Sequence, residues 1–204
     1  MCAAISGSGS SVSIYGASLE LLENTKEKLA LAIDGVRNDM IKESGRDPID
    51  HLLFRIKSDA SMREKLRRKK LEETTQNAIN SVYDAVGARV VCSFLDDVYA
   101  IEERLKNIEG FRVVEEKDYI RHAKENGYRS FHLILRVDEA AYAEIQLRTI
   151  SMDTWAALEH KLRYKKNISG NIELIANELK RCADELASTD VSMQTLRNMI
   201  EENE

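Results

Sequence analysis

The chain is poor in the residues that staple or punctuate a fold. It has one proline (Pro48), nine glycines, three cysteines and 6% aromatic residues. Cys2, Cys92 and Cys182 form no CxxC pair and cannot all pair with one another. A disulfide scaffold and a cysteine-rich zinc site are therefore poor readings, and a reducing cytoplasm is the expected compartment. No apolar run approaches the roughly 20 residues needed to span a bilayer, so a membrane protein is not expected. Residues 1–13 lack a basic region followed by an apolar stretch, so no secretory signal is expected. No internal repeat, Walker-type loop, GxGxxG or serine nucleophile elbow occurs, and His51, His122, His132 and His160 lack metal-ligand spacing. If phosphates are handled here, lysine, arginine and a carboxylate-held metal must do it.

What remains is ordinary for a globular domain. Of 204 residues, 43% are apolar and 32% charged, and 30 basic against 35 acidic side chains give a net charge of −5. That length can bury a real core. Mild acidity argues against a generic nucleic-acid coat but permits a local basic pocket.

Residues 1–13, rich in glycine and serine, are read as disordered. Leu22, Leu29, Ile33, Val36 and Met40 recur near helical spacing, giving a long helix over about 17–43 that Gly45 and Pro48 end. Ser61 and Glu64 read as a capping box. Residues 86–94 read as a strand. Asp96 or Asp97 then caps a helix with Val98, Ile101, Leu105 and Ile108 on one face, stopped by Gly110. Strands follow near 112–116, 131–137 and 142–148, the last two close enough for an antiparallel hairpin. Ser151 begins a helix with Met152, Trp155, Leu158 and Leu162 on one side. A last helix runs from Gly170 toward the C-terminus. The expected fold is α+β: a mixed, mainly antiparallel sheet of four to five strands packed by helices, with long N- and C-terminal helices. The division is a helical extension over 14–50, a central domain over 51–166 and a second extension over 167–204.

Alternation carries the functional signal. Ala143, Ile145 and Leu147 fall on one face of their strand and Glu144, Gln146 and Arg148 on the other. His132 opposes Phe131, Leu133 and Leu135, and Arg89 opposes Val90 and Cys92. A merely solvated sheet face is the bland alternative, but a carboxylate, an amide, a histidine and arginines are not the usual filler. Between Arg55 and Lys70 eight basic residues face only Asp59 and Glu64, a local field suited to polyphosphate or to a nucleic-acid backbone. In the segment 121–130, Asn126-Gly127 is a turn signal, and Tyr128 follows it as a candidate stacking platform.

Six segments in register carry a resemblance. They are Arg55-Ile56-Lys57-Ser58 with Lys65-Leu66-Arg67-Arg68-Lys69; the stretch from Asp84 to Cys92; Lys117-Asp118-Tyr119-Ile120; Gly127-Tyr128-Arg129-Ser130-Phe131-His132; Glu144-Ile145-Gln146-Leu147-Arg148-Thr149; and Met152 with Trp155 to Lys161. Together, over about 52–165, they resemble the synthetase domain of RelA/SpoT-type enzymes, in particular the stand-alone small alarmone synthetases. Nothing resembles that family's hydrolase domain. The resemblance implies transfer of the β,γ-pyrophosphate of ATP to the ribose 3′-hydroxyl of GDP or GTP, giving AMP and ppGpp or pppGpp. It implies that Arg55 and Arg89 sandwich adenine and that Lys57, Ser61 and Lys65 hold the ATP phosphates. It implies too that Asp84 and Glu144 hold Mg²⁺ and that Glu144 can also take the 3′-hydroxyl proton. By the same resemblance Tyr128 is expected to stack on guanine, with Lys124, Asn126, His132 and Gln146 around the acceptor.

Ser61 has a competing role as helix cap, Arg148 and His160 as braces of the sheet–helix junction, and Trp155 as core. Ala123 stands where the family commonly has proline, which bears on the rigidity of the acceptor loop. The alternatives are a toxic relative that modifies the tRNA 3′ end or adenosine nucleotides, with the basic stretch 63–70 touching RNA, and a non-catalytic nucleotide- or RNA-binding regulator. The resemblance also implies a homo-oligomer, a tetramer. Apolar stripes on both terminal helices, which one domain of that size would not obviously cover, point the same way.

Overall fold

The computed structural model of the chain describes residues 13–163 and 171–203. The expected disorder of the N-terminal start falls almost wholly on residues 1–12, outside the described range, as does Gly170.

The first helix, α1 (Ser18–Ser44), buries Leu22, Leu29, Ile33, Val36 and Met40, the stripe read from the sequence. Gly45 ends it as a left-handed cap at φ 74°, its N–H donating to the Ile41 carbonyl at 2.8 Å. Pro48 then leads into β1 (Ile49–Ile56), a strand that the sequence reading did not assign. It is an edge strand carrying Asp50, His51 and Arg55, with only Ile49 fully buried, so its apolar alternation is diluted.

Ser61 does not cap the next helix. α2 (Asp59–Arg68) is capped by Ser58, whose hydroxyl accepts from the Ser61 N–H at 3.3 Å, and Ser61 lies inside the first turn. A short α3 (Thr75–Asn80), also unassigned from sequence, is capped by Thr74. The remaining elements are β2 (Val86–Cys92), α4 (Leu95–Lys106), β3 (Phe111–Asp118), β4 (Phe131–Val137), β5 (Ala141–Thr149), α5 (Ile150–Arg163) and α6 (Ile172–Glu201). Neither Asp96 nor Asp97 is the cap of α4. Phe94 occupies that position, and Asp97, three residues in, accepts from its N–H at 3.1 Å. The helix ends at Asn107, before Gly110.

The sheet order is β1-β2-β5-β4-β3. β2 and β5 run parallel and every other pair is antiparallel, including the expected β4–β5 hairpin. The mainly antiparallel α+β expectation thus holds at its upper count of five strands.

Val86, Ala88 and Val90, Leu133 and Leu135, and Ala143, Ile145 and Leu147 are buried with the α1 stripe and Val98, Ile101 and Leu105 of α4 in one core. The α1 stripe is therefore covered by the chain's own sheet, and the expectation that one domain would not cover both stripes comes down to α6. On α6 that expectation stands: Val191, Met193, Leu196, Met199 and Ile200 are all more than half exposed. On α5, Met152 and Trp155 are buried, but Leu158 and Leu162 are exposed rather than sharing the packed side. Among the described residues no helix is long and apolar enough to cross a membrane.

Candidate active site

The face opposite the α1–α4 core collects the polar side chains. Register alone aligns Leu53, Arg89, Gln146, His132 and Lys117 in one row across all five strands. In the next row Arg55, Gly87 and Glu144 are neighbours. Gly87 leaves an open floor between the arginine and the carboxylate. Leu53, Arg55, Asp84, Gly87, Arg89 and Glu144 line one cleft. Arg55, Arg89, Tyr128, Arg148 and His160 line a wider opening beside it.

Asp84 sits in the turn before β2. Lys57 Nζ donates to its Oδ2 at 2.9 Å, and Lys65 Nζ lies 2.7 Å from its Oδ1. Burial raises the Asp84 carboxyl, but hydrogen bonds and charge from Lys65 and Lys57 outweigh it, so it lies below the ordinary carboxylate range. Burial likewise raises Glu144, and the adjacent Asp84 charge adds to that. His132, with help from Gln146, brings it below its ordinary value. His132 Nδ1 is 3.1 Å from Glu144 Oε1, and Gln146 Nε2 donates to Oε2 at 3.2 Å. Two ionised carboxylates therefore face one cleft. No group of three or more metal-ligating side chains occurs among the described residues. Mg²⁺ needs no such group, because it binds through one or two carboxylates plus substrate phosphates and water. Asp84 and Glu144 fit that ion.

Burial, and the positive charges of Arg148 and Arg55, lower the Arg89 guanidinium from its ordinary value, with Asp153 opposing. Arg89 Nη1 lies 3.3 Å from Asp153 Oδ1.

The acceptor loop is a tight turn. Gly127 N–H donates to the Lys124 carbonyl at 2.8 Å, Lys124 N–H to the Tyr128 carbonyl at 3.1 Å, and Asn126 Oδ1 accepts from Tyr128 N–H at 3.2 Å. Gly127 has φ +90°, and a Cβ there would stand 2.7 Å from that of Ala183, so α6 closes on this turn as only glycine allows. Lys124 Nζ lies over the rings of Tyr119 and Tyr128, 4.3 and 4.9 Å from their centroids. Tyr128 and His132 meet edge-on at 5.9 Å, and their polar atoms are 2.8 Å apart.

The structure places the sequence-selected residues around this cleft and the neighbouring turn, and sets Ser61 in the first turn of α2, with a 2.9 Å hydroxyl contact to Ser58. Arg148 braces the strand–helix junction, bonding Asp153 at 3.0 Å, and Trp155 is packed with its indole N–H on the Leu179 carbonyl at 2.8 Å. Asp153 and Tyr119 were not singled out. An acid in the first turn of a helix reads as a response to the helix dipole, and a tyrosine outside clear periodicity gives no signal. Much of the basic run is returned to the fold: Arg63 and Arg67 pair with Glu73, Lys65 with Asp84, and Lys69 donates to the Ser81 carbonyl.

Two carboxylates among lysines and arginines, beside an aromatic loop on a mixed sheet, make a charged cleft of the kind that suits polyphosphate chemistry. Residues 54–169 match the region found in RelA / SpoT proteins. The GTP pyrophosphokinase YwaC of Bacillus subtilis (strain 168) is 41% identical over 164 residues, 77% of this chain and 78% of that protein. YjbM, a GTP pyrophosphokinase of the same organism, is 35% identical over 184 residues, 86% of this chain and 85% of that one. The solved small alarmone synthetase 1 from Bacillus subtilis, bound to its product pppGpp, superposes with a TM-score of 0.75 at 33% identity, over 88% of this chain and 94% of that chain. The chain belongs to the RelA/SpoT family.

Proposed function

We propose that this chain is a synthetase that transfers the β,γ-pyrophosphate of ATP to the ribose 3′-hydroxyl of GDP or GTP, giving AMP and ppGpp or pppGpp. One observation carries the reading: an ionised Glu144, held by His132 and Gln146, opens on the same cleft as Asp84, Arg55 and Arg89. The names of the relatives, GTP pyrophosphokinases and a synthetase seated with pppGpp, point the same way.

Arg55 and Arg89 flank adenine, gaining stacking and cation–π energy without reading a base edge. Lys57 and Lys65 turn from Asp84 to the ATP phosphates. Tyr128 stacks on guanine, with Lys124, Asn126, His132 and Gln146 around the acceptor. Glu144 accepts the 3′-hydroxyl proton. The 3′-oxygen forms its bond to the β-phosphorus while the bond from that phosphorus to the α,β-bridging oxygen breaks, releasing AMP. Mg²⁺, when held by Asp84 and Glu144, supplies positive charge to phosphate oxygens, and the lysines and arginines spread the rest. The enzyme works in the cytoplasm as a homo-oligomer, a tetramer, assembled through the exposed apolar face of α6. Light scattering at micromolar concentration checks this, and a mass near the 23.2 kDa of one chain would refute it.

The test of the chemistry is purified protein with Mg²⁺ and ATP labelled in the β or γ phosphate, offered GDP, GTP, GMP, ADP and tRNA in turn. Label should move to the guanosine nucleotides with release of AMP. Label on tRNA or on adenosine nucleotides instead would replace this reading by that of the toxic relatives. The RNA reading gains no support from the pairing of Arg63, Lys65, Arg67 and Lys69 within the fold.

A further inference from the structure

Five side chains of the site close a hydrogen-bonded ring. Glu144 Oε1 meets His132 Nδ1 at 3.1 Å, and His132 Nε2 meets the Tyr128 hydroxyl at 2.8 Å. That hydroxyl accepts from Arg148 Nη2 at 2.7 Å, and the same nitrogen donates to Gln146 Oε1 at 2.9 Å. Gln146 Nε2 returns to Glu144 Oε2 at 3.2 Å. The members come from three consecutive polar positions of β5, one of β4 and the acceptor loop. Arg148 is 4% exposed, and its other arm is fixed by Asp153 at 3.0 Å.

The chemistry of the members gives this ring a direction. A guanidinium can only donate and a carboxylate can only accept. Arg148 is therefore the source of the ring and Glu144 its sink. Along one arm, Gln146 must turn its carbonyl oxygen to Arg148, which leaves its amide nitrogen to donate to Glu144. Along the other arm, the Tyr128 oxygen receives from Arg148 and gives its own hydrogen to His132 Nε2. Nε2 is then the acceptor, so the ring proton sits on Nδ1 and is donated to Glu144. Both arms deliver a donor to the carboxylate, and the guanidinium at one end and the carboxylate at the other ask for the same two orientations.

We propose that Arg148 is the positioning residue of the reaction: it fixes the Gln146 amide and the His132 tautomer and thereby holds the Glu144 base oriented. This rests on the pyrophosphate-transfer reading, in which Glu144 takes the 3′-hydroxyl proton. Arg148 acts on Glu144 through its bonds to Tyr128 and Gln146. Through Asp153, which also faces Arg89, it ties the acceptor side of the cleft to the adenine side.

The test is Arg148→Met, which keeps bulk and removes every donor, beside Tyr128→Phe, which breaks one arm and leaves the fold's packing intact. Hydrogen bonds from a charged donor are worth about 1.5–3 kcal/mol, so kcat at saturating ATP and GTP should fall roughly ten- to hundredfold in Arg148→Met. The double variant should be little worse than Arg148→Met alone, because Tyr128 acts on His132 through the same arm. Nitrogen-15 NMR of the His132 ring in the full chain supplies a readout that loss of packing alone would not move. The native protein should show a protonated Nδ1 and a bare Nε2, and both variants should show Nε2 protonation rising. An unchanged tautomer in Arg148→Met, or an unchanged kcat, overturns the proposal. If the native protein moves no label to any guanosine nucleotide, the pyrophosphate-transfer reading falls instead, and the His132 spectrum still decides whether Arg148 sets the tautomer.

Discussion

Asp84→Asn should make the protein bind inorganic tripolyphosphate more tightly while making it less stable. In the resting fold two ammonium groups close on one carboxylate, Lys57 at 2.9 Å and Lys65 at 2.7 Å. The three side chains are between 13% and 23% exposed, so the pairs lie between the surface and interior cases. At that depth each pair is worth about 1 kcal/mol, between the near-zero value of an exposed pair and the larger value of a buried one. Both must be given up before the lysines can turn to phosphate. Asparagine keeps the shape and removes the charge, so about 2 kcal/mol of competition disappears, roughly a 30-fold gain in affinity. The same change leaves two partly buried ammonium groups facing an amide. Losing about 2–3 kcal/mol of stability lowers Tm by about 5–10 °C in a domain of this size.

The assay is titration calorimetry with tripolyphosphate in EDTA, so that no metal takes part, together with thermal melts with and without the anion. The rise in Tm on adding tripolyphosphate should be larger in the variant than in the native protein. An acid titration adds a second check. Asp84 has a lower pKa folded than unfolded, so its stabilisation is present above about pH 4 and lost as pH falls through the folded value. That acid loss should be reduced in the variant. Equal or weaker tripolyphosphate binding by Asp84→Asn would show that the lysines are not restrained by the carboxylate.

Glu144→Gln should lower transfer by at least about 10²-fold with the circular dichroism spectrum little changed, because the amide keeps the site's shape but cannot take the proton; near-native turnover would remove Glu144 from the mechanism. Gly127→Ala should raise the KM for GTP and lower Tm, since an added Cβ meets Ala183 at 2.7 Å and the Lys180 Cα at 3.2 Å at a φ of +90°. The combined strain is about 1–3 kcal/mol, and unchanged GTP kinetics would refute the role of α6 in shaping the acceptor turn. Asp190 is raised by burial, against the Thr149 and Ser151 hydrogen bonds that lower it. Its folded pKa therefore exceeds the unfolded one, so its stabilising contribution is full below about pH 4 and is lost as pH rises through the folded value. Asp190→Asn can keep the 2.6 Å bond from the Thr149 hydroxyl and should raise Tm at pH 7 more than at pH 4, as melts at the two pH values will read.

How much was legible in the sequence depended on burial of regular elements. β4 and β5 bury one face completely, so period-two alternation exposed Glu144, Gln146 and His132 as the odd residues on a strand. The α1 stripe was equally plain, but nothing in it told a core face from an oligomer face, since both ask for the same residues at the same spacing. β1 escaped because an edge strand half in solvent has no clean alternation, and α3 because six residues hold less than two helical turns. The cap of α2 was misread by three positions: Ser58 and Ser61 are both plausible caps, and only the backbone of Ser58, at ψ 150°, decides between them. Asp153 lay beyond sequence reasoning because its meaning comes from Arg89 and Arg148, which the sheet, not the chain, brings to it.

The single parallel pair divides the sheet into two antiparallel halves. β1 with β2, carrying Arg55, Asp84 at its head and Arg89, makes one half; the meander β3–β4–β5, carrying Tyr128, His132, Glu144 and Gln146, makes the other. The residues proposed for ATP lie on the first half and its neighbouring α2, and those proposed for the acceptor lie on the second. Within the sheet the two halves meet at the β2–β5 seam, where Gly87 pairs with Glu144. Closing it requires a long crossover rather than a tight turn, which makes it the slow, non-local event of folding. In pulsed hydrogen exchange, seam amides should gain protection after those of the β3–β5 meander; seam protection arriving first would contradict this order. A chain caught before the seam closes holds a donor half and an acceptor half with no reaction between them, so ATP is not spent by an enzyme still being made.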